Sequence, residues 1–291
     1  MIIWSIATTT IGDAMRKKVL QIFLVVAIGL IVLSLSFSGT LSFSTRQGPS
    51  SDLMYLKSFG LGLMAIAGMF ISLVLGVSLI PQEIERRTIY TILAKPVKRY
   101  EFIVGKLLGA ILTLAISIGL MGIVFVATVM IKAHGAGQSA ASALAAARGI
   151  DPSSVSAVQV FDANTVLGVV MIFLQFMVLS SVVVLFSVFL TPTVNFFMGA
   201  GVYLIGVMAS LTETLARAGV EKANPFVAGF YKVVHIIIPN FDKFNLTNQL
   251  LHPETQIGNI WKYTGQVALY AGLYALIMAT LAVILFERKE V

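Results

Sequence analysis

The sequence contains five stretches of at least 24 residues without Asp, Glu, Lys or Arg, and the longest, residues 163–212, runs for 50. The others are residues 19–45, 58–82, 107–131 and 263–286. A helix needs about 20 mostly apolar residues to cross the hydrocarbon core of a bilayer, which is about 30 Å thick. Each stretch is therefore long enough for one membrane-spanning helix, and the longest is long enough for two.

The composition agrees with a chain that is solvated mainly by lipid. Of its 291 residues, 58% are hydrophobic and 11% are charged, and the mean hydropathy is +0.94. Soluble domains average about 45–50% apolar and about 25% charged residues. A soluble enzyme, a disordered chain and a fibrous protein are therefore excluded. Because there is no Cys, disulfides, iron–sulfur clusters and thiolate zinc sites are excluded as well.

The longest uncharged stretch contains a turn signal, Thr191-Pro192-Thr193, because proline disfavours helix at the residue before it. We therefore predict two spans joined by a short turn at residues 191–195. The fold class that follows is a single all-α membrane domain over residues 1–291 with six transmembrane helices. The predicted spans are residues 19–38, 58–80, 104–131, 165–190, 194–213 and 264–286, with external loops at 39–57, 132–163 and 214–263.

The two longer external connections contain local structure signals. Residues 134–138 predict a flexible opening, and the Ala-rich residues 139–148 predict a short helix that forms a hairpin with a second one starting near Asp151-Pro152. In the last connection, residues 233–239 are apolar but too short to span. They predict a segment that lies in the outer interface or dips into it, and that ends in a turn with aromatic anchors at residues 239–245.

The basic residues indicate the orientation. The formal charge is +7, and 11 of the 20 basic residues fall in the short segments that share a side with both termini. The remaining 9 are spread over about twice as many positions on the other side. The positive-inside rule therefore predicts that both termini are cytoplasmic. The positive-inside rule also accounts for the excess of basic residues. A nucleic-acid partner is not needed to explain that excess, and we expect none.

The first residues precede the first span and differ from a secretory signal, because the basic cluster comes late and the apolar run is too long. Apolar residues recur at helical spacing over residues 2–15, and Trp4 suits headgroup depth. This pattern predicts an N-terminal interfacial helix on the cytoplasmic side.

The cytoplasmic segment between the second and third spans has the most distinctive pattern. A charged first turn is followed by Ile89, Ile92 and Leu93 on one helical face, and Pro96 ends the helix. Lys98, Arg99 and Lys106 mark the return into the membrane. The residues predict a short amphipathic helix at about 82–94. It is either an ordinary interfacial connection or a docking element for a cytoplasmic partner.

Residues 83–109, EIERRTI…LAKPVKRYEFIVGKLLG, resemble the signature of type-2 ABC transporter permeases. Within that family they look most like the branch described as involved in multicopper enzyme maturation, which includes the nitrous-oxide-reductase maturation permease. Three further segments carry similarity, namely ATTT…RKK at residues 7–18, IPNFDKFN at 238–245 and LFERK at 285–289. Together they extend over the chain from end to end.

The resemblance implies a permease subunit of an ABC transporter, an exporter, in the inner or plasma membrane. It implies two partners, separate ATP-binding ATPase subunits and a second permease chain, which is either a copy of this one or a different chain. The helix at 82–94 would be the coupling helix, residues 191–195 a second cytoplasmic contact, and residues 2–15 the elbow helix. The ATPase-coupling residues carried over are Glu83, Ile84, Glu85, Arg86, Arg87, Thr88, Ile89, Ile92, Leu93, Lys95 and Pro96.

The sequence has no Gly-x-x-x-x-Gly-Lys-Ser/Thr motif, which is the loop that holds nucleotide phosphates in P-loop ATPases. We therefore expect no cofactor in this chain, ATP and Mg²⁺ bound by the partner ATPase, and no enzymatic activity here. The three histidines, at positions 134, 235 and 252, show no ligand spacing, and the 12 Met residues are scattered, so we expect no metal site.

Few polar side chains lie within the predicted spans. Gln175 is the most costly to expose to lipid, so it should point inward, either to form an interhelical hydrogen bond or to line a pathway. Candidate pathway residues are Gln175, Ser180 and Ser72. Gly105 and Gly109 indicate close helix packing. One alternative is an ion-coupled carrier or channel, which is disfavoured because the spans contain essentially no ionisable residues away from their ends. The other is a membrane-embedded lipid-modifying enzyme, for which we find no catalytic cluster.

Overall fold

A computed structural model describes residues 2–45, 49–79, 98–148, 163–208, 238–245 and 259–288. Within these ranges the chain is helical and contains no β-strand. The α-helices are α1 (Ile2–Met15), α2 (Lys18–Thr45), α3 (Pro49–Leu79), α4 (Arg99–Arg148), α5 (Ala163–Ser187), α6 (Pro192–Val207) and α7 (Ile260–Arg288), and residues Phe241–Phe244 form a 3₁₀-helix.

Five of these helices, α2, α3, α4, α5 and α7, are long and apolar enough to cross a membrane. Helix α6 is apolar but has only 16 residues within the described part of the chain. The prediction of an all-α membrane protein is therefore confirmed with five candidate spans. The sixth span, predicted at residues 194–213, stays a prediction, as does the orientation.

Several helices extend beyond the predicted spans. Helices α2 and α3 occupy much of the predicted loop at 39–57. Helix α4 continues through residues 134–138 to Arg148, so the expected interruption there does not occur. Two glycines cost about 1 kcal/mol each in a helix interior, whereas starting a new helix for the Ala-rich residues 139–148 requires a second unfavourable nucleation. Continuing the long apolar helix through these residues therefore costs less free energy than starting a new helix.

Helix α5 is the centre of the bundle. In an 18-residue apolar stretch of α5, 72% of the residues are buried inside the bundle, whereas the corresponding stretches of α2 and α7 are each 22% buried. It contacts α3, α4, α6 and α7. The break that follows it is confirmed, because α5 ends at Ser187, the chain turns over residues 188–190, and α6 starts at Pro192.

Helices α3 and α5 approach closely because α3 presents small residues along one face. A Cβ at Gly68 would overlap the Phe176 ring, and one at Gly76 would overlap the Val183 side chain. Between them, Ser72 donates its hydroxyl to the Phe176 carbonyl at 3.4 Å. Residues four apart share a helix face, and small residues let helix backbones approach in a membrane, where the hydrophobic effect does not drive them together.

Helix α1 is separate from α2 and packs on the start of α4. Gly105 and Gly109 leave no space for a Cβ, because Ile6 and Thr10 of α1 occupy it. The predicted close packing at these glycines is confirmed. Trp4 points away from this contact and is 63% exposed.

Helix α3 ends before residues 80–97, and helix α4 begins after them. We call the side of the bundle with these two helix termini the near end, and the opposite side the far end. At the near end, the Arg99 guanidinium donates to the carbonyls of Phe286 and Glu287, both at 3.4 Å. The rings of Phe102 and Phe286 stack with centroids 5.9 Å apart. A cation at a helix C-terminus satisfies its unpaired carbonyls and its dipole, so the start of α4 is fastened to the end of α7.

We predict that Gly76→Leu lowers the stability of the purified protein by about 1–3 kcal/mol, because a side chain there must displace the stiff Val183. Gly29→Leu is the matched control, since a Cβ at Gly29 meets nothing within 4 Å. The measurement is thermal unfolding in detergent. Equal melting temperatures for the two variants would contradict the assignment of α3–α5 packing.

Candidate functional site

The predicted ATPase-coupling residues, 83–96, lie outside the residues that the structure describes. Their helix and their role therefore stay predictions. What the structure describes is the two helices that flank them, α3 ending at Leu79 and α4 starting at Arg99. The Lys98 amide donates to the Glu101 carboxylate at 3.0 Å and thereby caps the start of α4.

The turn between α5 and α6, predicted as the second cytoplasmic contact, lies at the near end. Phe189 and Thr191 are exposed there. Asn195 is fully buried, and its Nδ2 donates to the Val183 carbonyl at 3.2 Å. Val183 also packs against Gly76 and Gly199. The turn is thus held rigidly to the two helices that it joins and to α3.

A partly open cavity of about 150 Å³ lies between α3, α5, α6 and the 3₁₀-helix. Its wall on α3 consists of Leu61, Gly62 and Ala65, and α5 contributes Gly168, Ile172 and Gln175. Tyr203 and Val207 line it from α6. The cavity extends from the middle of the bundle towards the far end, where residues 241–245 close one side.

Gln175 has the position that the sequence predicted for it. It is 7% exposed and lines the cavity together with Tyr203 of α6. It is 12 residues from each end of α5, which is about 18 Å at about 1.5 Å per residue. The predicted inward orientation is confirmed, and the amide lies in a cavity near the middle of the span, while the interhelical hydrogen bond stays a prediction.

The other two candidate pathway residues lie elsewhere. Ser72 is fully buried and uses its hydroxyl in the contact with α5 described above. Ser180 is also fully buried, and its hydroxyl has no hydrogen-bond partner within the described part of the chain. Neither is among the residues that line the cavity. The structure thus brings only Gln175 of the three to this site, and a pathway role for the other two stays a prediction.

Residues 238–245, which we call the wedge, close one side of the cavity. Phe241 and Phe244 are buried completely or almost completely. Asn240 accepts a hydrogen bond from the Asp242 amide at 3.1 Å, which starts the 3₁₀-helix. At Gly206 of α6 there is no space for a Cβ, because the Phe241 ring and the Pro239 carbonyl approach the helix backbone. The predicted turn with aromatic anchors is confirmed.

Two tyrosines of α7 hold the wedge by its backbone. The Tyr270 hydroxyl accepts from the Asn240 amide at 3.3 Å, and the Tyr263 hydroxyl donates to the Lys243 carbonyl at 2.7 Å. These two bonds fix irregular backbone to a regular helix. The position of the wedge over the cavity is therefore tied to the position of α7.

Aromatic rings continue this contact across the bundle. Tyr203 lies 5.6 Å from Phe241, and Phe244 lies 6.2 Å from Tyr270, measured between ring centroids. The Lys243 ammonium lies over the Tyr270 ring at 5.4 Å from its centroid. Ring pairs at such separations contribute about 0.5–1.5 kcal/mol each beyond their burial, so the wedge is a well-packed part of the fold.

Asp242 is the functional candidate that the sequence reasoning missed. It lines the cavity next to Phe241 and Phe244. The only acid in the predicted spans is Glu213, the last residue of the fifth one, and Asp242 comes instead from the connection between α6 and α7. The signal available was the IPNFDKFN run, which we used only as a point of family resemblance.

The site is suited to binding. Within the described ranges there is no group of three or more His, Cys, Asp or Glu residues that could hold a metal ion. The cavity combines apolar and aromatic walls with a few polar groups, the combination typical of small-molecule sites. Two hydrogen bonds from α7 hold the wedge, which forms one side of the cavity.

We predict that Tyr263→Phe combined with Tyr270→Phe loosens the wedge without unfolding the bundle. Each substitution removes one hydrogen bond, worth about 0.5–1.5 kcal/mol, and keeps the ring. Hydrogen exchange of residues 239–245 should accelerate by about one to two orders of magnitude. Tyr100→Phe, at the near end, is the control and should leave this exchange unchanged. If the double variant exchanges at the rate of the unmodified protein, α7 does not hold the wedge.

The chain was compared with known proteins. A family model described as ABC-2 family transporter protein matches residues 4–291, a range that includes the cavity, the wedge and the segment between α3 and α4. No match was found among curated proteins. The match extends over nearly the whole chain and agrees with the apolar helices of the bundle. The protein is therefore a multi-pass membrane protein that belongs to the ABC-2 transporter family.

Proposed function

We propose that the chain is the permease subunit of an ABC exporter in the inner or plasma membrane, with six spans and both termini in the cytoplasm. The observation that carries this proposal is the family match over residues 4–291. The basic residues near the termini and between α3 and α4 support the orientation. The similarity to the multicopper-maturation branch stays a prediction.

ATP hydrolysis belongs to separate ATPase subunits in this proposal. Permeases of this family generally supply transport without catalysis, and the sequence has no P-loop motif. ATP and Mg²⁺ would be bound by the partner, and residues 83–96 would contact it. A second permease chain, identical or different, would complete the passage.

The contacts described above support a route from the ATPase contact to the cavity. A displacement of residues 83–96 is transmitted directly to the start of α4, where Arg99 binds the end of α7. Helix α7 in turn holds the wedge through Tyr263 and Tyr270. A movement of α7 would therefore change how the wedge covers the cavity. Such a route transmits work only if the contacts differ between two states of the transporter.

The direction that we propose, export, follows from the family resemblance of residues 83–109, and the position of the cavity is compatible with it. The cavity lies between the middle and the far end of the bundle, on the side opposite to the proposed ATPase contact, and the wedge that closes it is also there. Opening of the wedge would release a bound molecule away from the cytoplasm.

We predict that Glu83→Gln combined with Arg86→Gln reduces co-purification of the ATPase subunit at least about tenfold, because charged contacts in the partner cleft would be lost. The measurement is pull-down of tagged permease from membranes, followed by ATP turnover of the reconstituted complex. The matched control is Asp52→Asn with Lys57→Gln, which removes the same charges from the opposite side. Absence of any ATPase partner from the unmodified protein would refute the proposed function.

The orientation can be tested directly, because the chain contains no Cys. Single cysteines replacing Ser50 or Ser139 should react with a membrane-impermeant maleimide in intact cells. Cysteines replacing Ser5 or Glu290 should react only after permeabilisation. The reverse pattern would overturn the cytoplasmic placement of the termini.

A further inference from the structure

We propose that the cavity between α3, α5, α6 and the wedge binds an uncharged aliphatic alcohol that enters sideways from the bilayer. Gln175 would hold the hydroxyl group, and the apolar walls would contact the hydrocarbon. For transport this inference rests on the proposed function, of which it names the substrate class. Binding itself is measurable on the purified chain without an ATPase.

Within the described part of the chain, the cavity reaches the surface of the bundle between α3 and α6. Gly62 of α3 and Val207 of α6 both line the cavity, and both are exposed. Gly62 is nine residues inside the candidate span Leu53–Val77, which is about 14 Å at about 1.5 Å per residue. The surface of a membrane helix at this depth faces hydrocarbon. A lipid-soluble molecule is therefore the kind of ligand that reaches this opening.

Gln175 is the polar group that sets the chemistry of the ligand. It lies in the middle of α5 and is 7% exposed, and an amide away from water costs free energy unless it is hydrogen-bonded. Its carboxamide has two donor hydrogens and an oxygen with two lone pairs. A single bond to Tyr203 would use one of these four. A hydroxyl group both donates and accepts, so a carboxamide satisfies it fully, whereas an amide does not neutralise the charge of an ion.

The other walls of the cavity fit hydrocarbon. Apolar side chains make up most of the remaining lining, namely Leu61, Ala65, Ile172, Val207, Phe241 and Phe244. The cavity has a volume of about 150 Å³, and apolar cavities of about that size hold a molecule as large as benzene. The ligand group inside is therefore about six carbons in size. A complete phospholipid is too large, but a longer chain could extend through the opening between α3 and α6.

The test uses two photoactivatable probes of the same length, 1-hexanol and hexane, each with a diazirine on the chain. They are irradiated with the purified chain in an uncharged maltoside detergent. Mass spectrometry then measures the labelling of Leu61 and Ile172, which line the cavity and are otherwise buried. The internal reference is the labelling of Val25, Val26 and Leu30 on the exposed face of α2. The ratio of the two corrects for how strongly each probe enters the micelle.

We expect the alcohol to label the cavity saturably, in competition with unlabelled 1-hexanol. Its labelling ratio should be at least about fivefold above that of the hydrocarbon, which is the factor that about 1 kcal/mol of hydrogen bonding gives. Gln175→Met keeps the length of the side chain and removes its hydrogen-bonding groups. This variant should lower the ratio of the alcohol to that of the hydrocarbon and leave the hydrocarbon unchanged.

A second variant fills the opening. A Cβ at Gly62 meets nothing within 4 Å, so Gly62→Leu is tolerated and should lower the cavity labelling by both probes. Gly29→Leu is the matched control, because a Cβ there also meets nothing within 4 Å. The two glycines lie at similar depth, six residues from Phe23 and eight from Phe70, whose rings stack at 4.9 Å. The control should leave the cavity labelling unchanged.

Three results would each overturn the proposal: equal ratios for the two probes, cavity labelling that does not saturate, or an unchanged ratio of the alcohol in Gln175→Met. If Gln175→Met does not fold, Gly62→Leu decides, since unchanged cavity labelling in that variant would overturn the proposal as well. These outcomes are independent of ATPase co-purification, whose failure would refute the transporter assignment instead.

Discussion

The close approach of α3 to α5 is the contact on which the rest of the structure depends. Lipid is as apolar as the helix surfaces, so helices in a membrane associate through packing and hydrogen bonds. Gly68 and Gly76 provide the packing, because the Phe176 and Val183 side chains fill the space that a Cβ would take. Ser72 adds a hydrogen bond between the two helices. With α5 fixed in the centre, α4, α6 and α7 each have a surface to pack against.

The same requirement explains the wedge. Backbone that is not helical needs other hydrogen-bond partners than those within a helix. Tyr263 and Tyr270 supply two of them, and Gly206 supplies the space for the Phe241 ring. The result is that a polar connection between α6 and α7 contributes Asp242 to a cavity that already contains Gln175. The polar groups of the site thus come from different elements, and only their packing brings them together.

Helix α7 links the two ends of the bundle. Its C-terminus accepts hydrogen bonds from Arg99 at the near end, and its first three turns hold the wedge at the far end. In our proposal, α7 transmits a movement from a contact made outside the membrane to the cavity, although the spans carry few charges. A change at the proposed ATPase contact would therefore also change the shape of the cavity.

The sequence by itself determined the class of protein, the family and most of the spans, because uncharged length is a local property and the bilayer sets its threshold. It also determined the turn after α5 and the inward orientation of Gln175, since proline and the cost of exposing an amide to lipid are local too. It did not determine how far α4 continues, because local flexibility signals at residues 134–138 were outweighed by propagation of an existing helix. Only the tertiary structure decided that Asp242 lines the cavity and that Ser72 is used in a helix contact, because both depend on residues far away in the chain.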